Sequence, residues 1–285
     1  MKIAVTGVTG QLGSAVLKEL DKHKFETFSL DRSRLDFQHI RSIEESLSGF
    51  EPDIIVNCAA FTEVDSSENE IAKVFAVNAT GATELAKYCS QKEIRLIQIS
   101  TDSIFSSSSP IFFKPMDSPS PINMYGKSKL QGEIGVLQQH PNGATIIRTA
   151  WLFGHSTNKF VQAIIRQGVE GKSFRVVDDQ FGQPTFTNSL AEFIVFLITT
   201  DYVDGIYHFA SSDYVSRHEY AKSILDYSQL DSTLVIPCPT VRLDGVAERP
   251  KYSLLDVSEA SVSGYPGITM WKQELAKYFD LNKGV

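Results

Sequence analysis

Short runs of apolar, often β-branched residues alternate with longer stretches of helical periodicity through the first half of the chain. Their near-continuous apolar character is typical of parallel strands buried on both faces. The predicted strands are Lys2–Thr6, Phe25–Leu30, Asp53–Ala59, Arg95–Ser100 and Ala144–Thr149. The helical stretches begin near Gln11 and near His39 and cover Val74–Gln91 and Tyr125–Gln138. This alternation predicts βαβ units, and hence an α/β fold with a doubly wound parallel sheet of the Rossmann type.

The second half of the chain has a less regular rhythm. The predicted elements are a helix over Lys159–Gln167, a strand over Phe174–Val177, a helix over Leu190–Ile198, a strand over Ile206–Phe209 and an amphipathic helix over Trp271–Phe279. Ser216 followed by Glu219 matches a capping box, which predicts a helix from there to Tyr227. We therefore expect a dinucleotide-binding domain over residues 1–154 and a smaller, mixed, mainly substrate-binding lobe over 155–285, with elements between about 173 and 210 returning to the sheet.

Composition narrows the class of protein. The chain has 285 residues, 42% of them hydrophobic, which is enough for a sizeable core. A formal net charge of -7 argues against a nucleic-acid binder, which needs an excess of cations facing the phosphates. Three scattered cysteines give neither a disulfide framework nor a zinc spacing, and no apolar stretch is long enough for a signal peptide or a membrane span. We expect a cytoplasmic protein with no metal site and no membrane partner.

A glycine-rich turn directly follows the first strand. Gly7, Gly10 and Gly13 recur at three-residue spacing, and an amphipathic helix continues from them. Glycine permits the tight turn and lets the backbone approach a pyrophosphate at the helix N-terminus. Because the strand and the helix that this motif requires are both present, the turn predicts a dinucleotide site. The residues assigned to it are Gly7, Thr9, Gly10, Gln11, Leu12 and Gly13.

The end of the second strand bears on the choice of dinucleotide. Asp31 lies about 20 residues past the glycines, where a carboxylate accepts hydrogen bonds from the adenine ribose of NADH. The next residue, Arg32, offers a cation to the 2′-phosphate of NADPH. The sequence leaves NADH and NADPH both open.

A tyrosine and a lysine form the candidate catalytic pair. Tyr125 and Lys129 lie four residues apart and so share one helical face. We expect the ammonium to lower the pKa of the phenol and make it a tunable general acid. Tyr88 and Lys92 have the same spacing, but no strand that ends in hydroxyl residues leads into them. Thr101 ends the fourth strand on the carboxyl edge, where we expect it to donate a hydrogen bond to a substrate carbonyl.

Together these residues resemble the extended short-chain dehydrogenase/reductases and, within them, the dTDP-4-dehydrorhamnose reductase family. The resemblance covers most of the chain. Its strings are GVTGQLG at 7–13, DIIVNCAAFTEVD at 53–65, VNATG at 77–81, STDSIF at 100–105, PINMYGKSKLQGE at 121–133, RTAWLF at 148–153, DDQFGQPT at 178–185 and RPKYSLLD at 249–256. The glycine turn and Tyr-x-x-x-Lys are shared by the whole superfamily, and the other strings narrow the match to this branch.

The resemblance implies hydride transfer to C4 of a dTDP-4-keto-6-deoxy-L-hexose, giving dTDP-L-rhamnose for polysaccharide synthesis. In that reaction Tyr125 would protonate the alkoxide, Lys129 would hold the nicotinamide ribose, and Thr101 would orient the carbonyl. The implied additional cofactor residues are Ala59, Ala60, Thr62 and Asn78. The implied substrate residues are Asp65 at the rim, Ser103, Trp151 beside the sugar, and Gln183 and Arg249 at the nucleotide diphosphate.

Two departures from the family pattern qualify this expectation. The family usually has a tyrosine where this chain has Ser103, so an aromatic surface beside the sugar is missing. Some members also carry a Glu after the glycine turn that supports a metal-linked dimer, and here Ser14-Ala15 occupies that place. We expect no structural magnesium, and a monomer or a dimer formed in another way remains open.

Two other functions compete with this reading. A different nucleotide-sugar 4-ketoreductase or an epimerase of the same superfamily differs in product stereochemistry, which no motif reveals. A non-catalytic, cofactor-binding regulatory subunit, such as the reductase-like partners of methionine adenosyltransferase, would account for Ser103. It would also account for the loop after it, which has Ser106–Ser109 where the family normally has a turn-forming Asp-Gly. Retention of both Tyr125 and Lys129 argues against that second alternative.

Overall fold

The architecture is that of a computed structural model, which describes residues 1–38, 41–47, 49–154, 159–200, 204–241, 244–258, 260 and 264–282. Fourteen strands and nine α-helices lie in these residues and are numbered here in chain order. A central parallel sheet is covered by helices on both faces. The α/β class and the doubly wound sheet predicted from the sequence are therefore confirmed.

The central sheet has six strands, and all of their pairings are parallel. In chain order they are β1 (Lys2–Thr6), β2 (Glu26–Leu30), β3 (Ile54–Asn57), β4 (Arg95–Thr101), β6 (Ala144–Thr149) and β11 (Gly205–His208). In space the order is β11-β6-β4-β3-β1-β2. The chain winds outward in opposite directions from β1 and β3, so a crevice opens beyond their carboxyl ends.

Helices cover both faces of this sheet. Their bounds are α1 (Gln11–Lys22), α2 (Arg41–Leu47), α3 (Ile71–Phe75), α4 (Ala82–Lys92), α5 (Met124–Gln139), α6 (Lys159–Glu170), α7 (Thr187–Thr199), α8 (Arg217–Tyr227) and α9 (Trp271–Leu281). Helices α1 and α7 pack together on one face, while α2, α4 and α5 contribute to the apolar core on the other. Fully buried side chains such as Val16 and Leu20 of α1 each contribute roughly 1.5–3 kcal/mol by leaving water.

Four two-stranded sheets lie outside the central one. They pair β5 (Phe112–Phe113) with β14 (Leu254–Leu255), β7 (Leu152–Phe153) with β10 (Thr185–Phe186), β8 (Phe174–Val177) with β13 (Val235–Cys238) and β9 (Phe181–Gly182) with β12 (Val215–Ser216). A separate apolar core holds residues of α6, α8 and α9 together. The predicted boundary at residue 154, between the dinucleotide-binding domain and the substrate-binding lobe, stays a prediction. Within 173–210, α7 packs on α1 and β11 joins the central sheet, whereas β8 pairs outside it.

The predicted elements agree with the observed ones to within a few residues, apart from two stretches. The helix expected near His39 covers Arg41–Leu47, and His39 itself lies outside the described residues. The helix predicted over Val74–Gln91 is divided by a π-helical segment at Ala76–Gly81. A π segment widens the backbone, and here it brings the carbonyl of Asn78 so close to α5 that a Cβ on Gly132 would lie 2.1 Å away.

A buried ion pair fixes α5 to the strand beside it. Arg148 of β6 donates to both carboxylate oxygens of Glu133, at 2.7–3.1 Å, and also to the carbonyl of Pro115. Because both charges are buried, loss of either partner would leave the other uncompensated. In the part of the chain that the structure describes, no helix is both long and apolar enough to cross a membrane.

Candidate active site

A cavity of about 790 Å³ opens at the carboxyl edge of the central sheet. The turn after β1, the ends of β3, β4 and β6 and the start of α5 form one side of it. Residues that follow β6, and residues of α6, β9 and α8, form the other side. The cavity therefore spans the switch point of the sheet and the lobe, as ligand sites in open α/β folds do.

The glycine turn leaves no room for side chains. Gly7 has a φ of +65°, and a Cβ there would lie 2.7 Å from the backbone nitrogen of Ala59. A Cβ on Gly13 would lie 2.4 Å from the carbonyl oxygen of Gly7. The turn and the N-terminus of α1 thus line the cavity directly, and the side-chain Oε1 of Gln11 there is buried without a partner. This cradle fits the pyrophosphate of a dinucleotide.

The end of β2 presents both groups expected to meet the adenosine ribose. Asp31 and Arg32 line the cavity. The carboxylate of Asp31 accepts hydrogen bonds from the Ser33 amide and hydroxyl, at 3.0 and 2.6 Å, and from the Arg34 amide at 3.2 Å. The Ser33 hydroxyl lowers the pKa of Asp31, so the carboxylate is ionised at neutral pH. The geometry accommodates either NADH or NADPH.

The start of α5 places Tyr125 in the cavity. Asn123 caps this helix by accepting from the Gly126 amide at 2.8 Å, and Gly126 packs so closely on the Ser103 carbonyl that a Cβ would lie 2.2 Å away. Tyr125 shares a hydrogen bond with the side chain of Thr101 at the end of β4. The sequence-predicted catalytic residues Tyr125, Lys129 and Thr101 therefore line one wall.

The expected effect of Lys129 on Tyr125 is wrong. Burial raises the pKa of Tyr125 to about 12, and the nearby Asp102 raises it further, while the bond to Thr101 acts in the opposite direction. Lys129 is not among the groups that shift this pKa. Its Nζ instead donates to the carbonyl of Ile99 at 2.6 Å. Desolvation of the phenol dominates, so Tyr125 carries its proton throughout the neutral range.

Lys129 lines the cavity but is itself almost fully buried. Burial lowers its pKa to about 8, partly offset by Glu133 and Cys58. The carbonyl that Lys129 contacts also accepts from Gln98 at 2.9 Å. A chain of buried hydrogen bonds continues from Gln98 to Asn57 and then to Thr6, beside the glycine turn. The ammonium and the turn are thus parts of one hydrogen-bonded framework.

The loop after β3 forms a further wall of the cavity, but Asn78, which was predicted to contact the cofactor, lies outside that wall. Ala59, Ala60 and Thr62 line the cavity. Asn78 does not. Its side chain accepts from the Phe61 amide at 2.8 Å and donates to the Phe61 carbonyl and to Ser128 of α5, both at 3.0 Å. The expectation of direct cofactor contact is corrected: this amide is fully used in fixing the loop to α5.

On the lobe side the structure brings together Trp151, Ser103 and Arg249, which all line the cavity. Trp151 has a φ of +41°, a strained backbone for a bulky side chain. Asp65 is not in the lining. At the rim its carboxylate forms an ion pair with Arg249 at 2.9 Å and accepts from the Ala247 amide at 3.1 Å. This pair connects the loop after β3 to the lobe.

Gln183 was expected at the nucleotide diphosphate, and the structure corrects this. Gln183 is fully buried and lies outside the cavity lining. Its Nε2 donates to the carbonyls of Ser211 and Leu255, at 2.7 and 3.1 Å, and its Oε1 accepts from the Leu255 amide at 2.6 Å. All of its donors and its acceptor are committed to backbone. Gln183 therefore holds β14 against the lobe.

Several lining residues were missed by the sequence analysis. They are Cys58, Asp102, Phe160, Phe181, Arg217 and Ser253. Asp102 is buried, accepts from Ser253 at 2.6 Å and from Thr101 at 3.1 Å, and has a pKa raised by its burial. Its position after Ser100-Thr101 was a usable signal. Arg217 directly follows the helix cap Ser216, but nothing local in the sequence shows that α8 faces the cavity.

Comparison with known proteins connects this site to a family. The family model described as the RmlD substrate binding domain matches residues 1–283. A dTDP-4-keto-6-deoxy-D-glucose reductase of Streptomyces niveus is 34% identical, over 97% of this chain and 96% of the relative. A dTDP-4-dehydrorhamnose reductase of Mycobacterium tuberculosis is 32% identical, over 96% of this chain and 91% of the relative.

A solved structure extends the comparison to three dimensions. The dTDP-4-dehydrorhamnose reductase of Bacillus anthracis, crystallised in complex with NADP, superposes with a TM-score of 0.92 at 34% identity and covers 98% of each chain. The family resemblance inferred from the sequence motifs is thereby confirmed. With its glycine cradle, its wall of Tyr125 and Thr101 and a match over nearly its whole length, the chain belongs to the RmlD substrate binding domain family.

Proposed function

We propose that this protein reduces the C4 ketone of dTDP-4-dehydro-6-deoxy-L-mannose to dTDP-L-rhamnose with NADPH or NADH, for polysaccharide synthesis in the cytoplasm. The observation that supports this best is the Tyr125 phenol, half-buried beside Thr101 in a cavity that also contains the glycine turn. The Bacillus anthracis relative with this fold is a dTDP-4-dehydrorhamnose reductase crystallised with NADP.

The residues of the sheet side would hold the nicotinamide cofactor, whose reduced ring supplies the hydride when it is bound. Gly7 and Gly13 leave the α1 amides open to its pyrophosphate. Asp31 would accept from the adenine ribose, and Arg32 would meet a 2′-phosphate. Lys129, whose ammonium donates to the Ile99 carbonyl, would turn to the nicotinamide ribose.

Tyr125 would protonate the substrate oxygen as the ketone is reduced. With a pKa raised to about 12, the phenol is fully protonated at neutral pH and has a proton to give. It gives that proton only when the oxygen becomes strongly basic, which happens as negative charge develops on it. Such proton transfer contributes typically 10²- to 10⁴-fold in rate. Thr101 would donate to the same oxygen and fix its position.

The lobe side would bind the nucleotide sugar. Trp151, which has a left-handed backbone and lines the cavity, would lie beside the sugar ring. Ser103 leaves space where the family tyrosine would lie. Arg249, with Asp65 beside it, lies at the rim near the expected nucleotide.

A second candidate is the reduction of a related 4-keto-6-deoxyhexose. The Streptomyces niveus relative bears the name of a dTDP-4-keto-6-deoxy-D-glucose reductase, and Ser103 changes the surface beside the sugar. Both reactions use the same acid and the same cofactor. They differ in how the sugar presents C4, so only the product distinguishes them.

The test is turnover with a defined substrate. Purified protein would be given NADPH or NADH with dTDP-4-dehydro-6-deoxy-L-mannose, and in parallel with dTDP-4-keto-6-deoxy-D-glucose, while loss of reduced nicotinamide is followed. NMR of the product assigns the configuration at C4. Preferential turnover of the first sugar to dTDP-L-rhamnose supports the proposal. Turnover of the second sugar alone favours the second candidate, and tight cofactor binding without any turnover favours a regulatory subunit.

A further inference from the structure

Arg217, the first residue of α8, projects into the lobe side of the cavity between two aromatic rings. Its guanidinium carbon lies 3.4 Å from the centroid of the Trp151 ring and 5.0 Å from that of Phe160. All three residues line the cavity. The planar guanidinium is therefore held in an aromatic slot, which fixes the direction of its donors.

The slot itself is rigidly built. Trp151 has a left-handed backbone, and a Cβ on Gly182 would lie 2.2 Å from the indole. Ser216 caps α8 by accepting from the Glu219 amide at 3.1 Å, and this fixes the residue from which Arg217 projects. The guanidinium has little freedom, so a ligand gains its hydrogen bonds without ordering a flexible side chain.

The guanidinium of Arg217 forms no direct ion pair with a carboxylate of the described residues, and Asp102 is the charge that influences it most. By contrast, Arg148 is paired with Glu133, and Arg249 with Asp65. Within the described part of the chain the guanidinium of Arg217 donates no side-chain hydrogen bond, although Asp102, Tyr220 and Arg249 are near enough to influence its pKa. Burial lowers that pKa to about 10, so the group is still charged at neutral pH.

A charged, water-poor guanidinium with unused donors is stabilised by an anion that accepts two hydrogen bonds. The cofactor pyrophosphate has its own cradle at the glycine turn, on the sheet side. Arg217 belongs to the lobe, beside Trp151 and near Arg249. The anion that it faces is therefore expected to come from the other ligand.

We propose that Arg217 binds the diphosphate of the nucleotide-sugar substrate, with Trp151 and Phe160 orienting its fork towards the phosphate oxygens. This rests on the proposed function, and it assigns to Arg217 the role that the sequence analysis gave to Gln183. An alternative is a purely structural stack of Arg217 on the indole. That alternative predicts the same loss of affinity for ligands with and without phosphate.

The test compares dTDP with thymidine, which lacks the phosphates, by calorimetric titration of the NADPH-bound protein. We expect Arg217→Met to weaken dTDP binding about 10- to 100-fold and to leave thymidine and NADPH affinity unchanged. In turnover, KM for the nucleotide sugar should rise with a smaller change in kcat. Arg175, an exposed arginine of β8 outside the cavity, provides the control Arg175→Met, with wild-type dTDP affinity expected.

Unchanged dTDP affinity in Arg217→Met, or an equal loss for dTDP and thymidine, would overturn the proposal. If Arg217→Met has lost NADPH binding and is therefore misfolded, Arg217→Lys is used in its place. Lysine retains the positive charge but lacks the two-pronged guanidinium. Wild-type dTDP affinity in Arg217→Lys would also refute the proposal that Arg217 binds the diphosphate. Turnover by the wild type separates the two hypotheses. If the wild type reduces the keto sugar and substitution of Arg217 does not change dTDP affinity, the proposed function stands and only the role of Arg217 is refuted. If the wild type shows no turnover, the proposed function is refuted.

Discussion

The two sides of the cavity are built in different ways. The sheet side is formed by backbone: glycines whose missing Cβ atoms leave amides open, followed directly by the N-terminus of α1. The lobe side is formed by large side chains from distant parts of the sequence, with Trp151 and Arg217 stacked in contact. A backbone cradle accepts one fixed chemical group, whereas a side-chain surface can be changed residue by residue.

The two sides of the cavity are therefore expected to tolerate substitution differently. The glycine turn tolerates no Cβ at Gly7 or Gly13, because the obstructing atoms belong to the backbone. On the lobe side the close contacts are made by side chains, such as that of Trp151 against Gly182. Tyr125 lies where the two sides meet, and it is the residue that both must present to the reaction.

The largest expected effect is at that meeting point. Tyr125→Phe retains the ring and removes the proton, so kcat should fall roughly 10²- to 10⁴-fold while the Kd for NADPH stays close to that of the wild type. Steady-state kinetics and NADPH titration measure the two quantities. Tyr88→Phe is the matched control, since Tyr88 has the same spacing to a lysine but lies away from the cavity. An active Tyr125→Phe protein would mean that another group is the acid.

On the sheet side, Gly13→Ala should damage cofactor binding. The added methyl would lie 2.4 Å from the Gly7 carbonyl oxygen, and backbone must move to relieve the overlap, at a cost of roughly 1–3 kcal/mol. The Kd for NADPH should rise correspondingly, by about 5- to 150-fold. Gly10→Ala, with its nearest atom at 3.2 Å, provides a graded comparison and should lose less. Equal effects of the two substitutions would argue against a crowded cradle.

The pH dependence tests the role of Lys129. Its pKa is lowered to about 8, so the ammonium is present below that pH and is lost as the pH rises through it. Tyr125, with a pKa near 12, remains protonated over the same range. We expect kcat/KM for NADPH to fall by up to about tenfold per pH unit above pH 8, because this parameter reports groups of the free enzyme. A profile that stays flat well above pH 8 would contradict this role.

The smallest expected effect is on the lobe side. Gly182→Ala places a methyl 2.2 Å from the Trp151 indole, which a side chain can partly relieve by shifting. A cost of roughly 1 kcal/mol, at the lower end for overpacking, should raise KM for the nucleotide sugar about fivefold. The Kd for NADPH should not change, which separates this variant from Gly13→Ala. Loss of NADPH binding in Gly182→Ala would show that the two sides are not independent.

The sequence predicted the sheet side better than the lobe side for a physical reason. The glycine turn and the Tyr125–Lys129 pair are local patterns, in which spacing alone places groups on one turn or one helical face. The position of Asp31 in the cavity could be predicted in the same way, because this residue directly follows the second strand of the sheet.

The lobe side depends on contacts between residues far apart in sequence. Gln183 has a polar side chain suited to a ligand, but the fold commits it to Leu255, 72 residues away. Arg217 shows the reverse: an inconspicuous helix-start arginine faces the cavity because α8 packs against α6 and β9 pairs with β12. The burial of the Tyr125 phenol also results from tertiary packing. The direction predicted from the sequence for its pKa shift was wrong for that reason.

The central claim is that Tyr125 and Lys129 face a reduced nicotinamide whose dinucleotide lies on the glycine turn. A crystal structure of the protein with NADPH tests it most directly. We predict the pyrophosphate at the α1 amides and Lys129 Nζ on the nicotinamide ribose. Tyr125 Oη should point towards the nicotinamide C4, with room between them for a substrate carbonyl whose carbon would lie about 3–3.5 Å from that C4. A nicotinamide ring beyond the reach of Tyr125, or a phenol turned into the protein interior, would contradict the account.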